Sequence, residues 1–214
     1  MVDWNFQKFW PEIEVVVLGY STPKYKPQHS KFISLGKDLG VGSVCTQVSS
    51  FFETSDDDYF VLGVDDTPLI CNVNHDSFLK LLDVIKSDKK IGRLGLTKDN
   101  YRRKHNVLYK VGDMDVFINE HDTEYRLSLA TSLWNKKFFL EYGKKSSSLW
   151  DFELKGSEIS KESDWKISGS NPWLLDNGHI YKRGKVIESW YKGIYTGVEF
   201  SKEDISFLKN LYDL

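Results

Sequence analysis

Apolar residues along this chain gather in short continuous runs separated by stretches with helical spacing. Ile13 to Tyr20 (IEVVVLGY) is a valine-rich run closed by Gly19, the pattern of a strand buried on both faces. After a loop with Pro23 and Pro27, Lys31 to Leu35 (KFISL) predicts a second short strand, and Val41, Val44, Cys45, Val48, Phe51 and Phe52 recur at helical spacing. Tyr59 to Val64 (YFVLGV) again patterns as a buried strand, stopping at Asp65, Asp66, Thr67 and Pro68. Phe78, Leu81, Leu82 and Ile85 mark one face of a helix with Asn74 or Asp76 as its N-cap, and Ile91 to Leu96 (IGRLGL) predicts another buried strand.

Leu108 to Glu120 alternates and turns near Gly112 and Asp113, which predicts a hairpin. Leu127, Ala130, Thr131, Trp134, Phe138 and Tyr142 predict one helix ending near Gly143, followed by a loop carrying Trp150, Asp151, Phe152 and Glu153. Asn177 and Gly178 predict a tight turn between Trp173 to Leu175 and His179 to Tyr181, and Ser201 with Asp204 opens a last helix bearing Ile205, Leu208 and Leu211. Strands alternating with helices predict an α/β fold with a mostly parallel sheet flanked by helices and a small β-hairpin region. With no linker or shift in composition, residues 1–214 are expected to form one domain.

Composition narrows the function classes. Hydrophobic residues at 40%, charged residues at 28% and a formal charge of −2 give no general pull toward nucleic acid or an anionic membrane. The basic stretches Lys86 to Lys90 and Tyr101 to Lys104 have acidic neighbours and read as solvated faces, so nucleic acid is not an expected partner. The two cysteines, Cys45 and Cys71, lie in no zinc or redox spacing and are expected to be buried free thiols. The start MVDWNFQKFWPE has no signal-peptide character and no apolar run reaches membrane-spanning length, so no membrane span and a cytoplasmic location are expected.

Chemistry concentrates at the end of the third strand. Two adjacent carboxylates leaving a hydrophobic strand are partly desolvated and repel each other, and a divalent cation relieves both costs. Hard oxygen ligands suit Mg²⁺ or Mn²⁺, and open α/β sheets bind ligands at strand carboxyl ends. The plainer alternative is that Asp65 and Asp66 close a turn before Thr67 and Pro68. Downstream, Asp151 and Glu153 suit a general base toward an acceptor hydroxyl or, alternatively, cap and pair at a helix-to-loop junction. His179, with Tyr181, Lys182, Arg183 and Lys185 after it, brings an imidazole and several cations toward a phosphate or metal, or is an incidental hairpin histidine.

Taken together, FWPEIEVVVLGY, KFISLGKDLG, YFVLGVDDTPL, IGRLGL, YRLSLATSLWNKKFFLEY and SLWDFELKGSE resemble, in order and spacing, a family of glycosyltransferases with the GT-A nucleotide-sugar fold. In that family a strand ends in an acidic pair and a later helix leads into a Trp-Asp/Glu-x-Glu loop. The resemblance implies a Mn²⁺ or Mg²⁺ site at Asp65, Asp66 and His179, with Asp66 ranked first as direct ligand although the motif here is DD rather than DxD. It implies nucleotide-sugar contacts at Asp65, Tyr20, Lys182 and Lys185, and acceptor-side acids at Glu153 and, second, Asp151.

The implied activity is metal-assisted transfer of a sugar from a nucleotide-sugar donor to the hydroxyl of a glycan or other acceptor. Such folds begin with a strand that this chain is expected to lack, since it opens on what reads as a helix end, Trp4 to Trp10. The alternative is a non-catalytic carbohydrate- or protein-binding relative. Nucleotidyl or phosphoryl transfer also uses carboxylate-held Mg²⁺, but no GxxxxGK[ST] loop is present.

Overall fold

The computed structural model describes residues 2–24, 26–65, 67–99, 103–178 and 206, and the backbone of 181–182 and 185–186. The last predicted helix, from Ser201, lies outside these apart from Ser206. The described elements are α1 (Val2–Phe9), β1 (Val15–Gly19), β2 (Ser30–Ser34), a 3₁₀ turn (Val41–Ser43), α2 (Val44–Thr54), β3 (Tyr59–Leu62), α3 (His75–Ser87), β4 (Ile91–Gly95), β5 (His105–Val111), β6 (Met114–Asn119), β7 (Ser132–Asn135), α4 (Lys136–Gly143), α5 (Leu149–Ser160), β8 (Lys166–Asn171), β9 (Tyr181–Lys182) and β10 (Lys185–Val186).

Helices and strands make this an α/β fold, but the main sheet is mixed rather than mostly parallel. Its six strands run β3-β7-β4-β8-β6-β5, and only the β4–β8 pairing within it is parallel. The hairpin β5–β6 extends this sheet at one edge, with Gly112 at φ 62 supplying the positive φ of the two-residue turn. Two cores sandwich the sheet. Trp10, Phe78, Leu81, Ile85, Leu94 and Leu133 pack on one face with α1 and α3; Cys45, Phe52, Trp134, Phe138, Tyr142 and Phe152 pack on the other with α2, α4 and α5. Burying an apolar side chain is worth about 1.5–3 kcal/mol each, so these two layers hold the sheet in place.

β4 is buried along its whole length, and Gly92 is required there: a Cβ would lie 2.4 Å from Cγ of Phe138. α3 keeps its predicted N-cap, the Asn74 side chain accepting from the Ser77 N–H at 2.9 Å.

Four local points differ from the sequence reading, each for a physical reason. The predicted helix from Leu127 is a buried turn and loop and then strand β7 followed by α4, which starts where the Asn135 side chain accepts from Lys137 N–H at 2.9 Å. The apolar spacing of Leu127, Trp134, Phe138 and Tyr142 spans both elements by coincidence. The predicted loop at Trp150 to Glu153 is the start of α5, capped by Ser148, whose Oγ accepts from Asp151 N–H at 3.0 Å. α5 buries Phe152 but otherwise Gly156, Ser157 and Ser160, so its inner face is nearly invisible to hydrophobic periodicity. The unforeseen β8 (KISGSN) hides in the same way, fully buried through Ser168, Gly169 and Ser170.

The fourth concerns β1. It pairs in parallel with β2 as a separate two-stranded sheet, in register Val15↔Ser30, and no residue of either strand is buried. Its valine run matches an interior strand in composition, yet Val16 stands 39% exposed. Among the described residues, β1 pairs only with β2 and β3 only with β7, and none of the described helices is long and apolar enough to cross a membrane.

Candidate functional site

β3 delivers its chain to the site through Gly63 and Val64. A Cβ at Gly63 would sit 2.9 Å from Oγ1 of Thr131, so the strand exit and the residue before β7 are in direct contact. Val64 C=O then accepts from both the N–H (3.3 Å) and the hydroxyl (3.1 Å) of Thr67, closing a tight turn over 64–67. Asp65 is exposed in this turn, and no hydrogen bond or ion pair to it is present among the described residues; Asp66 lies outside them. The turn-closing role therefore belongs to Val64 and Thr67, which leaves the Asp65 carboxylate available to solvent or a ligand.

The segment after the turn is buried and held on both sides. Leu69 forms an antiparallel bridge with Asn177: Gly178 N–H donates to Pro68 C=O and Ile70 N–H to Asp176 C=O, each at 3.0 Å. Leu174 and Leu175 N–H both donate to Leu96 C=O, just past β4, at 2.9 and 2.8 Å. Residues 174–178 thus form a strap along the carboxyl ends of β3 and β4. Asn177 and Gly178 pair with this loop; the second arm of the turn predicted there, from His179, begins outside the described residues. His179 lies outside the described residues. Lys182 and Lys185 face each other across the β9–β10 pair, and their side chains lie outside the described residues.

Glu153 reaches the same end of the sheet from α5. Its Oε1 accepts from Leu129 N–H at 2.7 Å, and one turn along the helix Ser157 Oγ accepts from Leu127 N–H at 2.9 Å. The N–H groups of Leu127 and Leu129, in the loop before β7, are therefore paired by successive turns of α5. The second oxygen of Glu153 has no hydrogen-bond partner among the described residues. Asp151 has a capping role: Oδ2 accepts from Ser147 N–H at 2.9 Å and from its hydroxyl at 3.2 Å, and the N–H bond above all holds its pKa below the usual carboxylate range.

Beneath these groups Arg93 is fully buried on β4, its Nη2 donating to Ala130 C=O at 3.3 Å; burial pulls its pKa down to about 10, so it stays cationic at neutral pH. Cys45, near Asp151 and Glu153, is pushed up to about 12 by burial and then by those two carboxylates. Both cysteines are free; Cys45 is buried and Cys71 half-buried.

Tyr20, at the end of β1, donates from its hydroxyl to Gln47 at 3.0 Å, and burial and the Asp38 charge raise its pKa. No hydrogen bond among the described residues links it to the 64–67 turn. A cavity of about 580 Å³ lined by Lys89, Lys90, Glu141, Ser163, Asp164 and Trp165 opens at the opposite, amino end of β4 and is chemically mixed.

Asn5 of α1 had no visible signal in the sequence. It is 1% exposed, its Oδ1 accepts from Leu69 N–H and its Nδ2 donates to Leu69 C=O, both at 2.8 Å. Among the described residues no group of three or more His, Cys, Asp or Glu is arranged to hold a metal ion. Of the expected metal ligands only Asp65 is among the described residues; Asp66 and His179 are not. Searches against protein-family models and against curated proteins give no match for this chain.

Proposed function

We propose that the chain is a glycosyltransferase of GT-A-like fold, moving a sugar from a nucleotide-sugar to an acceptor hydroxyl with the aid of Mn²⁺ or Mg²⁺ bound at Asp65, Asp66 and His179. The observation that carries this reading is convergence at one end of the sheet. The exposed Asp65 turn and the strap of residues 174–178 lie at the carboxyl ends of β3 and β4, and Glu153 bonds to Leu129 at the same end of the sheet, from the face that carries α5.

In the proposed reaction the acceptor oxygen attacks the anomeric carbon as its bond to the nucleoside diphosphate breaks. For an inverting transfer the acceptor proton passes to the second oxygen of Glu153. A divalent cation supplies positive charge against the leaving diphosphate. Lys182 and Lys185, two residues either side of the β9–β10 turn, are proposed donor-phosphate contacts, and Tyr20 a contact to the nucleotide. The substrates of this reaction are a nucleotide-sugar and a glycan or other hydroxyl compound.

One observation favours the alternative, a non-catalytic carbohydrate-binding relative: the carboxylates of both Asp151 and Glu153 already accept backbone N–H groups. Calorimetry with UDP, GDP and CDP, each with and without Mn²⁺, on wild type and Asp66→Asn decides between them. Metal-dependent binding of one nucleotide, lost in the variant, supports the transferase. Sugar binding indifferent to chelator and to Asp66→Asn supports the binding module.

A further inference from the structure

Three of the described histidines set Nδ1 against a hydrogen-bond partner, and the partners differ in kind. Nδ1 of His75 lies 3.1 Å from Nε1 of Trp10, a donor, so it presents a lone pair. Nδ1 of His105 lies 2.7 Å from the C=O of Arg103, an acceptor, so it carries a proton. Nδ1 of His121 faces one of each kind: the C=O of Lys161 at 3.0 Å and Nη1 of Arg126 at 3.0 Å. A carbonyl only accepts and a guanidinium only donates, so one ring nitrogen satisfies one of them at a time, and the proton on Nδ1 decides which.

Both partners are held independently of the ring. Arg126 is 1% exposed; its Nη1 also donates to Ser160 C=O at 3.2 Å and its Nη2 to Trp165 C=O, tying the end of α5 to the start of β8. Lys161 is the C-cap of α5, its N–H donating to Glu158 C=O at 3.2 Å. His121 is exposed, on a turn closed by Thr123 N–H donating to Glu120 C=O at 3.1 Å. When the three groups rearrange, the ring and its turn therefore move while the buried guanidinium stays. The charged groups on the segments that meet at the ring are Glu120, Asp122, Glu124 and Arg126 on its own loop and Lys161, Glu162 and Asp164 between α5 and β8. Glu120 pairs with Lys104 at 2.8 Å and Lys161 with Glu158 at 2.7 Å, and the charge that touches Nδ1 is that of Arg126.

We propose that His121 is a proton-operated latch between the loop 120–126 and the end of α5. With a lone pair on Nδ1 the ring accepts from Arg126. Proton uptake puts a hydrogen on both ring nitrogens, so Nδ1 donates to Lys161 C=O, loses the bond from Arg126 and is repelled by its guanidinium. Histidine is the side chain whose charge changes between about pH 5 and 8, which makes acidification the trigger. The loop released in this way leads directly into Leu127 and Leu129, whose N–H groups α5 holds through Ser157 and Glu153.

The test is a nitrogen-15 spectrum of the histidine side chains of the full chain at about pH 8 and about pH 5, with amide exchange read as protection factors on the same samples. His75 and His105 at the higher pH are internal references for a bare and a protonated Nδ1. His121→Asn assigns the His121 resonance and puts in its place an amide that takes up no proton; His121→Gln is a second variant of the same kind.

Nδ1 of His121 is expected to match the His75 reference at about pH 8 and the His105 reference at about pH 5. Protection at Thr123 is expected to fall about 2- to 10-fold over that range in wild type, the worth of one hydrogen bond, and to hold steady in both variants. A protonated Nδ1 already present at the higher pH, or a bare one at both, overturns the exchange of partners. Thr123 protection that stays constant in wild type, or falls equally in wild type and the variants, overturns the release of the loop.

Discussion

Glu153 carries two roles that substitution can separate. Its Oε1 holds Leu129 N–H at 2.7 Å, a charge-assisted bond to a backbone group just before a buried strand, while its other oxygen is the proposed base. Glu153→Gln keeps an acceptor of the same shape, so it loses only the charge assistance, about 1 kcal/mol. Glu153→Ala leaves a donor unpaired beside Leu129, which is 7% exposed, and an unmet buried N–H costs roughly 1–3 kcal/mol. Urea unfolding followed by tryptophan fluorescence is therefore expected to rank wild type above Gln, and Gln above Ala. Sugar transfer is expected to rank differently, because both variants lack the base and both lose about 10²–10⁴ in kcat. Equal stability of the two variants refutes the structural half of this reasoning. Wild-type transfer rates in Glu153→Gln refute the catalytic half.

Gly92→Ala sets a Cβ within 2.4–2.8 Å of three atoms of the Phe138 ring in the centre of the sheet. Overpacking of this kind costs about 1–3 kcal/mol, read as a Tm lowered by about 2–4 °C per kcal/mol. For Asp88, burial raises the pKa but is outweighed by bonds from Lys166 at 2.7 Å and Tyr109 at 2.8 Å, which leave it lowered. A folded pKa below the unfolded one gives stability that is fully present above the unfolded value and lost as pH falls through the folded one. Asp88→Asn is thus expected to destabilise at about pH 5 and to narrow the gap to wild type at about pH 2, checked by thermal unfolding at both. Cys45, with a thiol pKa near 12, is expected to resist iodoacetamide at neutral pH while the half-buried Cys71 is alkylated first, as peptide mapping would show. Rapid modification of Cys45 in the folded protein would refute its burial.

The parts of this fold that the sequence made legible are those whose buried faces are apolar. α3 declares itself through Phe78, Leu81 and Ile85 and its Asn74 cap, and β4 through an unbroken buried run. α5 and β8 stay hidden because, beyond Phe152 and Ile167, the residues they bury are Gly156, Ser157, Ser160, Ser168, Gly169 and Ser170, which carry no hydrophobic signal. Small side chains are needed at these places by close approach: a Cβ on Gly156 would lie 2.9 Å from Cδ1 of Leu127. The N-cap of α5, Ser148 three residues before Asp151, is a sequence signal that the reading of this stretch as a loop did not use. β1 errs in the opposite direction. Its valines read as interior, but strand burial depends on how many neighbours a strand has, and a lone parallel pair covers neither edge.

The candidate site divides along the same line. Asp65 and Asp66 are visible because adjacent carboxylates after an apolar run are chemically odd wherever they occur. Asn5 is not, because an asparagine in a short helix is ordinary until its partner is known, and that partner is a backbone group 64 residues away. Sequence pattern reports what a side chain prefers and cannot report which distant peptide it satisfies. The acidic pair is therefore legible as chemistry while the amide that pairs Leu69 is legible only as geometry. Substitutions chosen from the motif alone would test Asp65, Asp66 and Glu153, and leave unexamined the asparagine that satisfies both backbone groups of Leu69.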